Sequence, residues 1–392
     1  MSDKIDKRGF ATKLVHAGEP PDPGTGAIAP VLIRSKTFQQ PGFGAKATWQ
    51  YSRGKNPTRS ILENKIASLA GGGKAAVFAS GDAATAMLLL TFRPGDHIIA
   101  CKELYGGTVR LLDQLFAHFG IEVTYVDVND RKKVLAAKKQ STKAILVESP
   151  TNPKLGIVDL TAAGKLAREL KLTYIADMTF APPCTTKVFD YGADVIIYSL
   201  SKYFAGHNDV IGGAIVSRDE KLIEQLEWLQ WAVGATLSPD ECYRVIQELK
   251  TLNLRWARVS QSAQKIAEYL RENPEITELY YPGLPGHKDH ELAKKQMKNG
   301  YGAVVSFTLA AQDKPRLEKF VDKLQDSRII VYAESLASPE TILSHPATMS
   351  HRSLTAEQRQ AGGISYGFFR LSVGFEDPED IIEALDAGLK VL

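Results

Sequence analysis

The 392-residue chain has only three cysteines, Cys101, Cys184 and Cys242. Their spacing fits no metal-ligand pattern, and three are too few for a disulfide framework, so neither a structural metal nor cross-links are expected. An excess of one charge is also missing, because 48 basic and 45 acidic residues leave a net +3. That balance offers no basic face for nucleic acid or an anionic membrane. No apolar run approaches the length that spans a bilayer, and the polar opening over residues 1–10 is unlike a secretory signal. Internal repeats and low-complexity tracts are absent. The chain reads as a cytoplasmic globular protein, 44% apolar and 24% charged, long enough for two domains.

What is present is organised around residues 194–207, DVIIYSLSKYFAGH. The run from Val195 to Tyr198 is apolar without alternation and rich in β-branched residues, which predicts a buried strand. Lys202 follows at its end. An ammonium partly removed from water there loses proton affinity, and the free amine becomes a nucleophile toward an aldehyde. Ser199 and Ser201, two apart, would share a face of an extended chain and could both donate to a phosphate. The plainer alternative is an ordinary lysine reaching the surface at a strand end.

About 25 residues upstream, Asp177 follows the apolar stretch from Leu172 to Ala176. An acid at a strand's carboxyl end faces the crevice where open α/β sheets bind ligands, although Asp there also serves as a simple turn cap. Pyridoxal phosphate asks its protein for a Schiff-base lysine, a carboxylate against the ring nitrogen and a phosphate cradle. Lys202, Asp177 and the pair Ser199/Ser201 supply these three together.

Residues 1–60 are rich in Gly and Pro and poor in periodic pattern, an irregular arm of the kind that is functional or packs on a partner. Within it, Tyr51 and Arg53 could reach a phosphate through a hydroxyl and a guanidinium fork, or could simply sit in solvent. From residue 61 to 250, helix and strand signals alternate as in a doubly wound α/β unit with a mostly parallel sheet. The turn Ser80-Gly81-Asp82 opens a helix and makes an anion site of its N–H groups; Asp82 reads as its N-cap, or else as a carboxylate competing with that anion. Tyr105 lies in a glycine-bearing loop where its ring could stack, and Glu148 and Asn152 end a further strand. Residues 251–392 open with a long helical stretch and read as a smaller α+β domain. Arg370 falls mid-strand in FFRLSVGFE, which demands a partner: a substrate carboxylate, or an ion pair with Glu376 or Asp377.

Many ordered stretches resemble the cysteine/methionine-metabolism family of pyridoxal-phosphate enzymes, which includes cystathionine γ-lyase, cystathionine γ-synthase and methionine γ-lyase. They are LVHAGEPPDPGTGAIAP, YSRGKNPTRSILE, YGGT, ESPTNP, YSLSKYFAGHNDVIGG, AESL, HPATMSH and RLSVGFED, and they cover nearly the whole length. The resemblance implies the fold-type I architecture of pyridoxal-phosphate transferases and a homotetramer built from dimers. It implies that Lys202 carries the cofactor and shuttles protons, that Asp177 pairs with the ring nitrogen, that Tyr105 stacks and serves as acid/base, and that Thr179 supports the ring. The phosphate would be held by Gly81, Asp82 through its backbone, Ser199 and Ser201, with Tyr51 and Arg53 from a neighbouring subunit. Arg370, Asn152 and Ser335 would hold the substrate carboxylate.

The chemistry implied is γ-elimination from a sulfur-containing amino acid, giving a 2-oxo acid, ammonia and a thiol, as in cystathionine γ-lyase. The alternative is a γ-synthase-like transfer joining a nucleophile to an O-acylhomoserine, or a related step in a specialised pathway. The complete set of Lys202, Asp177 and Arg370 argues against a non-catalytic relative. Departures from the family lie near the distal substrate pocket. Asp82 replaces the usual Met, Met178 the usual Asn, and Ala337-Ser338 before Pro339 the usual Gly-Gly. Gln50 stands where cystathionine-handling members often have an acid, while Arg110 and Glu340 match such members. Gly107, where methionine γ-lyases carry Cys, argues against that activity.

Overall fold

The computed structural model describes residues 2–350, 359 and 362–392; His351, the last residue of HPATMSH, lies outside them. Seven strands form one sheet: β1 Lys74–Phe78, β2 His97–Cys101, β3 Glu122–Val126, β4 Thr142–Glu148, β5 Thr173–Asp177, β6 Val195–Ser199 and β7 Gly213–Ser217. Their spatial order is β1-β7-β6-β5-β4-β2-β3. The five from β6 to β3 run parallel, while β7 is antiparallel to both neighbours. The parallel strands β2, β4 and β6 are apolar and buried through their middles, as strands covered on both faces must be, and β7 is buried throughout. Amphipathic helices such as Leu160–Leu170 cover the sheet; in that helix Leu160, Ala163, Leu166 and Ala167 are buried at helical spacing.

The 20-residue helix Leu252–Arg271 leads to a second sheet. Its strands are β8 Ile276–Tyr280, β9 Val304–Leu309, β10 Ile330–Tyr332, β11 Thr341–Ser344 and β12 Phe368–Ser372, in the order β10-β11-β12-β9-β8. Only β10 and β11 pair in parallel. The helices Lys314–Asp326 and Pro378–Leu389 pack on it through Leu317, Phe320, Leu324, Ile381, Leu385 and Leu389. The α/β reading of the larger part and the α+β reading of the smaller one both hold.

The amino-terminal arm differs from expectation. Short helices span Ser2–Asp6 and Phe10–His16. The second forms because Phe10 and Leu14, four apart, share a face; Leu14 joins the core around Leu62 and Ile66, and Phe10 packs against it. Glycine-rich composition masked this pair.

Parallel order brings the carboxyl ends of β4, β5 and β6 side by side, with Glu148 opposite Asp177 and Asp177 opposite Ile197. Next to them, the turn from β1 into the helix Gly81–Leu89 passes close to β7. A methyl group on Gly213 would overlap the Ser80 carbonyl and lie 2.8 Å from the Gly81 Cα. Gly213→Ala should therefore push the Ser80-Gly81 turn off the sheet and cost about 1–3 kcal/mol of stability. A urea unfolding midpoint lowered at unchanged slope is the expected result; an unaltered midpoint would mean that the turn yields freely.

Candidate functional site

A cavity of about 650 Å³ opens at these strand ends, lined by residues of both sheets. From the first come Ser80, Gly81, Asp82, Tyr105, Glu148, Asn152, Asp177, Thr179, Ser199, Ser201 and Lys202; from the second, Glu334, Ser335, Glu340 and Arg370.

Lys202 lies in a tight turn, Leu200–Phe204, which leaves helical geometry at Lys202 itself (φ −98°, ψ −131°). Its Nζ donates to Ser335 Oγ at 3.0 Å. Burial first, and the Arg370 cation second, lower the amine to about 8, so a neutral fraction far above an ordinary lysine's exists near neutrality. Asp177 Oδ1 accepts from the Thr179 N–H at 2.9 Å, which is the turn contact open to any Asp there. Its carboxyl is nonetheless half-buried on the cavity wall, and its loss of water raises its pKa. Thr179 Oγ1 accepts from the Ser199 N–H at 2.9 Å, so one threonine ties the ends of β5 and β6 together.

The two serines are not on one extended face. Ser199 ends β6, whereas Ser201 has entered the turn, accepting from the Gly212 N–H at 3.0 Å. Both still line the cavity. At the helix Gly81–Leu89 the N-cap is Ser80, whose side chain accepts from the Ala83 N–H at 2.9 Å. Asp82 is thus free of capping duty. Gly81 packs so closely on Ser199 that an added methyl would sit 3.2 Å from its Cβ and Oγ.

Arg370 is only 3% exposed. Its Nη1 donates to Asn152 Oδ1 at 2.8 Å and its Nη2 to the Ser335 carbonyl at 3.1 Å, while Nε has no partner among the described residues. The suggested ion pairs with Glu376 and Asp377 are not formed. Glu376 accepts from the Thr341 N–H and hydroxyl at 2.7 and 2.8 Å, and Asp377 from Arg258 at 2.9 Å.

Tyr105 precedes the short helix Gly106–Arg110, and burial, then the Asp82 charge, raises its phenol. Arg110 does not line the cavity but pairs with Asp82 at 3.2 Å. Glu340 lines it and accepts from Asn208 at 2.9 Å. Tyr51, Arg53 and Gln50 stand apart from the cavity of their own chain. Arg53 instead lies over the rings of Tyr51 and Trp231, 5.6 and 5.8 Å from their centroids.

Sequence reading assigned no role to Glu148. Its oxygens accept from the Tyr105 N–H at 2.8 Å and the Asn152 N–H at 2.7 Å, fixing two cavity loops at once. Burial, with Asp177 alongside, pushes its pKa well up. An acid closing an apolar strand, as Asp177 does in the next one, was the available signal. Glu334 and Asn208 were also missed; nothing in their local sequence marks them. Among the described residues no group of His, Cys, Asp or Glu is arranged for a metal, and no helix is long and apolar enough to cross a membrane.

The family described as Cys/Met metabolism PLP-dependent enzyme matches residues 11–390. Cystathionine beta-lyase of Bacillus subtilis is 40% identical over 379 residues, covering 97% of this chain and 96% of its own. Cystathionine gamma-synthase of Mycobacterium tuberculosis is 39% identical over 383 residues, with 97% of each chain covered. The solved cystathionine gamma-lyase of Lactobacillus plantarum, complexed with L-serine, superposes with a TM-score of 0.93 at 41% identity over 98% of this chain and 99% of that one.

The lowered amine gives a direct test. An ordinary lysine stays protonated to about pH 10, whereas Lys202 should lose its proton as pH rises through about 8. Reductive trapping of Lys202 by a small aldehyde, read by peptide mass spectrometry, should climb through that lower range ahead of the surface lysines. In Arg370→Met the rise should move to higher pH, because a neighbouring cation is gone. Trapping that follows the surface lysines would refute the lowered amine.

Proposed function

We propose, from the chain's membership of the Cys/Met-metabolism family of PLP-dependent enzymes, that it cleaves a sulfur-containing amino acid by γ-elimination, as a cystathionine γ-lyase-like C–S lyase. Pyridoxal phosphate is the cofactor of this family, and the fold-type I architecture is shared with the solved relatives. The observation that carries the reading is a lysine whose amine is lowered to about 8, in the same cavity as a half-buried carboxylate and a buried guanidinium with an unspent N–H.

The donor set fits the cofactor. Gly81 leaves a shallow cradle against Ser199 that any side chain would fill, at the N-terminus of a nine-residue helix, where N–H groups favour an anion. Gly81, the Asp82 backbone, Ser199 and Ser201 would hold the phosphate, Asp177 the ring nitrogen, Thr179 and Tyr105 the ring, and Lys202 the aldehyde. The bound cofactor supplies an electron sink for charge developing at the substrate α-carbon. Arg370, with Asn152 and Ser335 bracing it, would take the α-carboxylate on its free Nε–H and so aim the α-hydrogen toward Lys202. As a neutral amine, Lys202 can remove that proton and later return one. The Tyr105 phenol, kept protonated by burial and by Asp82, can give its proton to the departing sulfur. Arg110, Glu340 and Gln50 would shape the distal end.

In this reading residues 61–250 hold the cofactor and residues 251–392 the substrate carboxylate. The arm over residues 1–60 completes the site of a neighbouring subunit through Tyr51 and Arg53, within a cytoplasmic homotetramer. The exposure of both side chains and their separation from their own cavity support that assignment.

The assay supplies cystathionine, then O-acetyl- or O-succinylhomoserine with and without cysteine. Release of 2-oxobutyrate and ammonia from cystathionine, without condensation product, is expected; condensation as the main reaction would make the enzyme a γ-synthase-like transferase. Lys202→Ala should lower turnover roughly 100- to 10,000-fold. Mixing Lys202→Ala with Arg53→Ala subunits should restore part of the activity if sites are shared; no restoration would return the arm to its own chain.

A further inference from the structure

Asp82 is a carboxylate of the cavity wall that holds no backbone group in place. The N-cap belongs to Ser80, so the side chain is not needed to start its helix. One oxygen takes a single hydrogen bond from Arg110 at 3.2 Å, in a pair half exposed on the arginine side and therefore weakly held. The other oxygen faces Gly107. A methyl group there would lie 2.9 Å from Asp82 Oδ1 and overlap the Tyr105 ring, so the carboxylate and the phenol edge converge over a residue that leaves room for both.

The charges around this point are unevenly placed. The cations of the cavity wall are Lys202 and Arg370, both deep; its remaining acids toward the second sheet are Glu334 and Glu340, the latter held by Asn208. An amino acid anchored by its α-carboxylate on Arg370, with its α-carbon at Lys202, sends its side chain past Tyr105 and therefore past Asp82. The reach of the Asp82 charge to both Tyr105 and Lys202 agrees with this placement.

We propose that Asp82 sets the specificity of the cavity, its carboxylate selecting amino acids whose side chain ends in a positive charge, an ammonium or guanidinium, over neutral tails of similar length and against tails that end in a carboxylate. The inference rests on the reading of Arg370 and Lys202 given above. Arg110 acts as the counter-ion that an incoming cation displaces.

Equilibrium titration of the holoenzyme tests this with three amino acids that lack a γ-leaving group: L-lysine, L-norleucine and L-2-aminoadipate. The readout is the change in cofactor absorption. Lysine should bind tightest and norleucine roughly tenfold more weakly, the scale of one charge interaction near a protein surface, with aminoadipate weaker still. Asp82→Asn should bring the three dissociation constants within about twofold of one another, because the charge term is removed while the shape is kept. Arg110→Met should widen the wild-type spread by leaving the carboxylate uncompensated. Equal binding of all three by the wild-type enzyme overturns the inference while leaving the site reading intact. Selectivity that survives in Asp82→Asn overturns it too and moves the role to Glu334 or Glu340. No spectral response to any of the three overturns the underlying reading, and the inference falls with it.

Discussion

A guanidinium buried in the middle of a strand dictates much of this molecule. Arg370 stands on β12 opposite Ser306 of β9 and Ser344 of β11, away from bulk water. A cation there costs several kcal/mol, roughly, unless its donors find acceptors. Two acceptors come from elsewhere in the fold: Asn152, beyond the end of β4, and the Ser335 carbonyl. Ser335 has φ 123°, a conformation that favours glycine, yet its carbonyl turns to Arg370 while its hydroxyl meets Lys202. One cation thereby joins the two sheets and bends a loop into the cavity. It also adds to what burial does to its neighbour. Loss of water is the larger cause and the Arg370 charge the second, so Lys202 yields at about 8, while burial alone brings Arg370 down only to about 10.

The two acids at adjacent strand ends divide their work in the same way. Glu148 and Asp177 face each other across β4 and β5, a repulsive arrangement if both were ionised and idle. Glu148 commits both oxygens to backbone N–H groups and becomes part of the frame. Asp177 accepts from the Thr179 N–H and lines the cavity, where on the proposed reading it would meet a partner of opposite charge. The frame carboxylate sets the Tyr105 and Asn152 loops; the other faces the cavity.

The sheet was legible because strands covered on both faces are written as unbroken apolar runs, as over residues 144–147 of β4, residues 195–198 of β6 and residues 213–216 of the antiparallel β7. Lys202 and Asp177 were legible because a charged residue at the end of such a run has few structural excuses. The order β1-β7-β6-β5-β4-β2-β3 was not, since hydropathy says which strands are buried and nothing of their neighbours. Nor was the helix Phe10–His16, whose two-residue apolar face is hidden among glycines and prolines. The partners of Arg370 were misjudged for a different reason. Glu376 and Asp377 are near in sequence, but a strand carries successive residues away at about 3.3 Å each, whereas Asn152 arrives from 218 positions away. Ser201 shows the same limit on a smaller scale: spacing of two means a shared face only while the chain stays extended, and it turns at Leu200.

Charge balance ties the cavity mouth to the arm. On the proposed reading, a phosphate group would meet the N–H groups of the helix Gly81–Leu89 and the hydroxyls of Ser199 and Ser201, all neutral donors, with the Asp82 carboxylate close by. A dianion held only by neutral donors beside a fixed negative charge is poorly compensated. Arg110 offsets Asp82 from outside the cavity, which leaves the phosphate still wanting a cation. Arg53 carries one, sits exposed over Trp231, and has no carboxylate partner among the described residues. A site whose anion is balanced by a neighbour's arginine would be complete only when subunits assemble, so on the proposed reading the acid at position 82 would make assembly more necessary to cofactor retention than a neutral residue there would.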